Sequence, residues 1–407
     1  MSDPIISKPV GKRRVFYIPG YDPIHPRRYR ELYRTESAKQ AQISGYTISQ
    51  TPKRDAGPYG WHVAGQIDGH HTDADIDVLL WSDIVRDSMQ TSILATYGQL
   101  VRTAWTYIST GALRRLMRLR KGPVIAALYP IGMLLFQLFA AVALGWLIYR
   151  LGSGFGAIGQ AIGAGLGVCV TIASLRWFKR IDNKLFAYYL MHDYAFSARW
   201  NGANPAALET RMAEFADTIA KALTTDVDEV LVVGHSSGSH LAVTILADVL
   251  RDNRVPSQGA TLGFLSLGQV VPMMSFLPDA HKLRRDLAYL STQDRVAWVD
   301  VTAPGDGCAF ALCDPVGVSG VATKASKWPL VFSAAFTQTL QPETWKALRW
   351  RFFRLHFQYL CAFDNPRDYD YFQITAGPQS LVDRFRGRPA SKSRITAAAS
   401  KHTSMAP

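Results

Sequence analysis

The sequence predicts an α/β protein: a mostly parallel sheet with helices on both faces, interrupted by a two-helix transmembrane hairpin. Three observations predict it. Short apolar runs, Arg14–Ile18 (RVFYI), Glu229–Val233 (EVLVV), Thr261–Leu267 (TLGFLSL) and Arg295–Val301 (RVAWVDV), alternate with helix-prone segments, the pattern of strands covered on both faces. Two uncharged apolar runs stand back to back at Val124–Ile148 and Phe155–Leu175. Of the 407 residues, 48% are hydrophobic and 11% aromatic, which excludes a chain disordered throughout.

Residues 1–110 read as the N-terminal part of the α/β domain. MSDPIISKPV has no apolar stretch, so no secretory signal is expected. RVFYI ends in Pro19-Gly20, and Pro26–Gln42 is helix-prone with Arg27, Arg28, Arg30 and Arg34. Gly45–Gln50 and His62–Ile67 read as strands of a small β insertion. Ile76–Ile84 contains a buried strand, and Arg86–Ile108 is helical.

Residues 111–184 form the hairpin with its basic flanks, the spans covering about 124–148 and 155–175. A bilayer core needs roughly 20 helical residues. Only Tyr149–Gly154 joins the runs. Arg114, Arg115, Arg118, Arg120 and Lys121 precede the first, Arg176, Lys179, Arg180 and Lys184 follow the second, and the turn holds Arg150 alone. Positive flanks stay cytoplasmic, so a two-span protein is expected with both termini and the folded domain on that side. The net charge of +13 is thereby read as a match to anionic headgroups, not to nucleic acid. Gly159, Gly163 and Gly167 form a small-residue face, fitting either a hairpin packed on itself or a homodimer.

Residues 185–385 form the C-terminal part of the domain. A helical stretch from Ile181 to Leu223 breaks near Asn201–Pro205, and helices are expected at Gly238–Leu250 and Asp279–Tyr289. Residues 386–407 read as a disordered basic tail. Cys169, Cys308, Cys313 and Cys361 lack any metal-ligand spacing and are expected as free thiols.

The chemistry centres on Gly234-His235-Ser236-Ser237-Gly238, a G-x-S-x-G set between EVLVV and a helix. A sharp strand-to-helix turn there strains the serine backbone and projects its hydroxyl, while glycines two residues either side permit close approach. Ser236 is the candidate nucleophile; Ser237 and Ser239 lie out of frame.

At this point the soluble part of the chain, about 300 residues without the hairpin, resembles the α/β-hydrolase superfamily. The resemblance implies a nucleophile, an acid and a histidine in that chain order. Of the histidines after Ser236, His240 and His281 precede the acid candidates and His402 is in the tail, leaving His356 as general base. The acid is expected after RVAWVDV, on the loop holding Asp306; Asp300 and Asp314 are alternatives. Between Asp306 and His356 lies a longer gap than the family usually has, with Trp328–Phe336 as a candidate lid. The resemblance also implies an oxyanion hole from the amides of Ser237 and of Gly20 and Tyr21, Pro19 standing where the family usually has histidine.

His70 and His71, with Asp73 and Asp75, read as a polar hairpin loop, and no metal or other cofactor is expected. The basic-aromatic stretch Trp345–Phe357 reads as a headgroup-facing surface or a solvated face. The expected function is a membrane-anchored serine esterase, lipase-like, acting on lipid or acyl esters or thioesters. An acyltransferase with the same residues and a non-catalytic membrane scaffold are the alternatives.

Overall fold

The computed structural model describes residues 8–53 and 55–407. The strands are β1 (Lys12–Ile18), β2 (Thr47–Pro52), β3 (Gly60–Ile67), β4 (His70–Val78), β5 (Glu229–His235), β6 (Thr261–Leu267), β7 (Ala297–Thr302) and β8 (Leu330–Ser333). They form an eight-stranded sheet in the order β2-β3-β4-β1-β5-β6-β7-β8. From β4 to β8 every neighbouring pair is parallel, and β2-β3-β4 is an antiparallel meander. The main helices are α1 (Arg27–Ser44), α2 (Ser82–Met89), α3 (Ile93–Ser109), α4 (Ala112–Leu119), α5 (Lys121–Ser153), α6 (Gly156–Arg180), α7 (Asp182–Leu185), α8 (Ala187–Arg199), α9 (Ala206–Ala222), α10 (Gly238–Arg251), α11 (Val271–Ser275) and α12 (His281–Leu290).

Period-two alternation sorts the side chains of the central strand to two faces. Val230 and Val232 of β5 pack with residues of α9, α10 and α12 such as Met212, Leu241 and Leu287. Leu231 and Val233 pack on the other face with Tyr29 and Tyr33 of α1 and the C-terminal Tyr371 and Phe372. At the start of β5 a buried ion pair joins Arg13 to Glu229 at 2.5 Å. Its remaining capacity is met by the carbonyls of Gly377 and Gln379 and the amide of Leu381, the condition under which buried charge is tolerated.

The hairpin is α5 and α6, helices long and apolar enough to cross a membrane; at 1.5 Å per residue they run about 50 and about 38 Å. Their glycines face each other. A Cβ on Gly145 would stand 2.6 Å from the Gly167 carbonyl, and one on Gly152 would stand 2.8 Å from Gly163 Cα. The stripe Gly159, Gly163 and Gly167 is thus used within the hairpin, which accounts for it without a second copy.

Several expectations are corrected. Trp328–Phe336 is no lid: Leu330–Ser333 is β8, the last strand, and its Phe332 and the following Phe336 are buried in the core. His70 and His71 are not in a loop; Asp68 and Gly69 make the two-residue turn, both with positive φ, as a hairpin turn requires, and the histidines begin β4. The helix expected over Arg86–Ile108 is broken at Gln90–Ser92, where the Ser92 side chain caps α3. Residues 386–407 are not a disordered tail. The amides of Ser391 and Ile395 donate to the carbonyls of Val331 and Leu312, and the Ser404 carbonyl accepts from Arg284. Its small residues allow this path close to the body, Thr396 lying against Gly317.

Asp300, inside β7, is fully buried beside Ser266, and burial pushes its carboxyl up to about 8. Between the ordinary aspartate range and pH 8 the folded protein therefore holds a proton that the unfolded chain lacks. Stability falls as pH rises through that window. Asp300→Asn is expected to flatten the dependence, raising the unfolding temperature more at pH 8.5 than at pH 5; an equal shift at both values would contradict this protonation.

Candidate active site

The site grows from the end of β5. Ser236 takes φ of +56°, the left-handed region, which an L-residue occupies at a cost of roughly 1–2 kcal/mol. The surroundings hold it there. Its amide donates to the Leu267 carbonyl at 2.9 Å, and its carbonyl accepts from the Ser239 amide at 3.1 Å. The glycines are required by contact. A Cβ on Gly238 would stand 2.1 Å from the Ile18 carbonyl, one on Gly234 2.8 Å from the Gly238 carbonyl, and one on Gly20 2.9 Å from Ser236 Cβ.

His356 ends the short helix Phe352–His356. Its Nδ1 lies 2.7 Å from Asp306 Oδ2. An ionised carboxylate only accepts, so Nδ1 carries the proton and Nε2 is left as the basic nitrogen of the neutral ring. Burial pushes the Asp306 carboxyl up, but the charge His356 can carry, with bonds from His356, the Cys308 amide and Tyr359, outweighs it and holds Asp306 below the usual range. Tyr359 donates its hydroxyl to Asp306 at 3.0 Å while accepting from the Ala303 amide. His235 Nε2 donates to the His356 carbonyl at 3.0 Å. Burial, reinforced by His356, pushes His235 down to about 3; it stays neutral and positions the backbone of its neighbour.

Ser236 and His356 line one cavity of about 90 Å³ with Gly20, Tyr21 and Ser237. Among the described residues Ser236 Oγ makes no hydrogen bond, so the link from serine to imidazole is open while that from imidazole to carboxylate is closed. Such contacts often tighten only with substrate bound. The amides of Gly20, Tyr21 and Ser237 likewise donate to no acceptor among the described residues. Their loop is braced: Trp81 Nε1 donates to the Pro19 carbonyl at 3.0 Å, and the Tyr189 hydroxyl to the Tyr21 carbonyl.

The other candidates are committed elsewhere. Ser239 Oγ donates to the Gly234 carbonyl. Asp314 caps the helix Pro315–Val318. His281 contacts the Ser404 carbonyl, and His240 is buried in α10. The basic-aromatic segment packs against the Asp306 loop, Trp345 over Gly305 and Phe352 over Gly307, while Phe353 and Phe357 line the cavity. Its basic side chains Lys346, Arg349, Arg351 and Arg354 stay exposed, together with Trp350.

Asp193 on α8 was not evident from sequence. It lines the same cavity without a hydrogen-bond partner among the described residues, and burial, opposed by His356, pushes it up to about 7. No motif marks it; only the return of the chain from the hairpin brings it there. The ligand atoms of Asp306, Cys308 and His356 lie within 4.8 Å of one another. They make a poor metal set, because Asp306 and His356 are hydrogen-bonded together and burial holds the Cys308 thiol neutral, well above its usual range, whereas metal ligation needs the thiolate.

Ser236→Gly and Ser236→Ala both remove the hydroxyl, but only glycine relieves the left-handed backbone. The glycine variant is expected to be more stable than the alanine variant by about 1 kcal/mol in thermal unfolding; equal stability would contradict strain at the bend.

Compared with known proteins, the chain matches no family model, no curated protein and no solved structure, so its function is read from the site's own geometry on a mixed, mostly parallel sheet flanked by helices.

Proposed function

We propose that the chain is a membrane-anchored serine hydrolase of α/β-hydrolase type that cleaves carboxylic esters or thioesters of lipid or acyl substrates. The observation that carries this reading is the left-handed Ser236 opening into a cavity shared with His356, whose far nitrogen is bound to Asp306. In the proposed reaction Ser236 Oγ attacks the acyl carbonyl as His356 Nε2 takes the hydroxyl proton. The charge that develops on the carbonyl oxygen meets the free amides of Ser237 and Tyr21, with Gly20 beside them, a preorganised arrangement that stabilises an oxyanion. His356 passes the proton to the leaving alcohol or thiol, and water then releases the acyl group by the same steps in reverse roles. Asp306, held ionised, keeps the imidazole in the productive tautomer and offsets its charge.

The location argues for the substrate class. Lys121 begins the membrane helix, and Pro123, in its first turn, lines the cavity. The basic flanks favour a cytoplasmic side for both termini and the folded domain.

Hydrolysis of p-nitrophenyl butyrate by the purified full chain tests the reading. Ser236→Ala is expected to fall to background, and Asp306→Asn to lose roughly 10³–10⁴-fold in kcat. A Ser236→Ala protein as active as the wild type would overturn it.

A further inference from the structure

A second cavity, of about 170 Å³, lies beside the catalytic one. Its walls come from four helices: Ala104 and Ile108 of α3, Leu116 of α4, Ala127 and Leu128 of α5, and Tyr194 of α8, closed by Met273. The lining is almost wholly apolar. Of the two tyrosines in the lining, Tyr107 donates its hydroxyl to the Met273 carbonyl at 3.1 Å. A headgroup has nothing to bind there; a hydrocarbon chain does.

Three features link this cavity to the reaction and to the bilayer. Tyr194 and Met273 line both cavities, so they are the wall between them. Methionine is unbranched and flexible, and can move to open such a wall. Next, the root of α5 borders both: Pro123 faces the catalytic cavity and Val124, the following residue, faces the apolar one. Finally, the outer rim is exposed, Ile108 by 62% and Leu128 by 43%. Leu128 belongs to the membrane helix. Ile108 ends an exposed apolar row on α3 with Leu94, Val101 and Trp105, spaced seven, four and three residues apart, the spacing of one helix face. On α4, Leu116 points inward while Arg114 and Arg118 are exposed, as suits a helix lying at a headgroup layer.

We propose that this cavity is an acyl-chain site, loaded from the bilayer past Ile108 and Leu128, that receives the hydrocarbon tail of a long-chain ester while its carbonyl lies at Ser236. The cleavage step rests on the function proposed above; the binding of the chain does not.

The experiment uses the full chain in lipid nanodiscs. Ala104→Trp and Ala127→Trp fill the cavity without touching Ser236, His356 or Asp306. Hydrolysis of p-nitrophenyl palmitate is expected to fall about tenfold or more in both, with p-nitrophenyl butyrate within about twofold, which also shows that the variants fold. In parallel, a diazirine-bearing palmitate is expected to label Leu113 or Leu116 in the wild type, positions that line this cavity and not the catalytic one, and to lose that labelling in the tryptophan variants. An unchanged palmitate-to-butyrate ratio together with labelling confined to the bilayer-facing surface of α5 and α6 would overturn the acyl site and leave the hydrolase reading intact. Labelling inside the cavity without hydrolysis of any ester by the wild type would sink the hydrolase reading and sustain the chain-binding site.

Discussion

Everything at the site depends on one bend in the backbone. At Ser236 the chain leaves a strand buried along its whole length and enters α10 within a single left-handed residue. That conformation survives because β1, β5 and α10 approach closer than any side chain would permit, with Gly20, Gly234 and Gly238 at the contacts. The strain is local and the restraint is collective: hydrogen bonds from Ser236 to Leu267 and from Ser239 to Ser236 fix both sides of the peptide. A bend so held leaves a hydroxyl on its outer edge and unpaired amides on either side of it. Stored strain of this kind concentrates where function needs geometry that the chain would not adopt unaided.

The hairpin is more than an appendage to that bend. It is inserted between the N-terminal and C-terminal parts of the sheet, and on its return α8 covers the cavity with Tyr189, Asp193 and Tyr194. At its entry Gly122 rests against Gly307, one residue from Asp306. The apolar helices and the polar site therefore share walls, and the glycine contacts between α5 and α6 stabilise the frame from which α8 departs. Packed backbone, without a flexible linker, thus joins helices long and apolar enough to cross a membrane to the walls of the cavity.

What sequence could reach was set by range. The paired apolar helices and the strand–Ser236–helix junction are local patterns, written in hydrophobic period and glycine spacing. The partnership of Asp306 and His356, separated by 50 residues, has no local signature and was approached only through chain order. Elements whose state depends on distant contacts carry no such local mark. Leu330–Ser333 reads as part of a lid because four residues are too few to announce a strand; pairing with β7 makes it one. The C-terminal segment has a disordered composition, yet its backbone finds partners on Leu312 and Val331. Asp193, Tyr359 and the supporting role of His235 were invisible for the same reason, since each matters through a neighbour far off in sequence.

The most direct test of the account is chemical. The full chain should be treated with a fluorophosphonate, digested and mapped by mass spectrometry, with a His356→Ala variant alongside. One phosphonylated serine, Ser236, is expected, with labelling strongly slowed when the imidazole is removed. An adduct on another residue, or labelling of Ser236 at the same rate without His356, would contradict a hydroxyl activated at this bend.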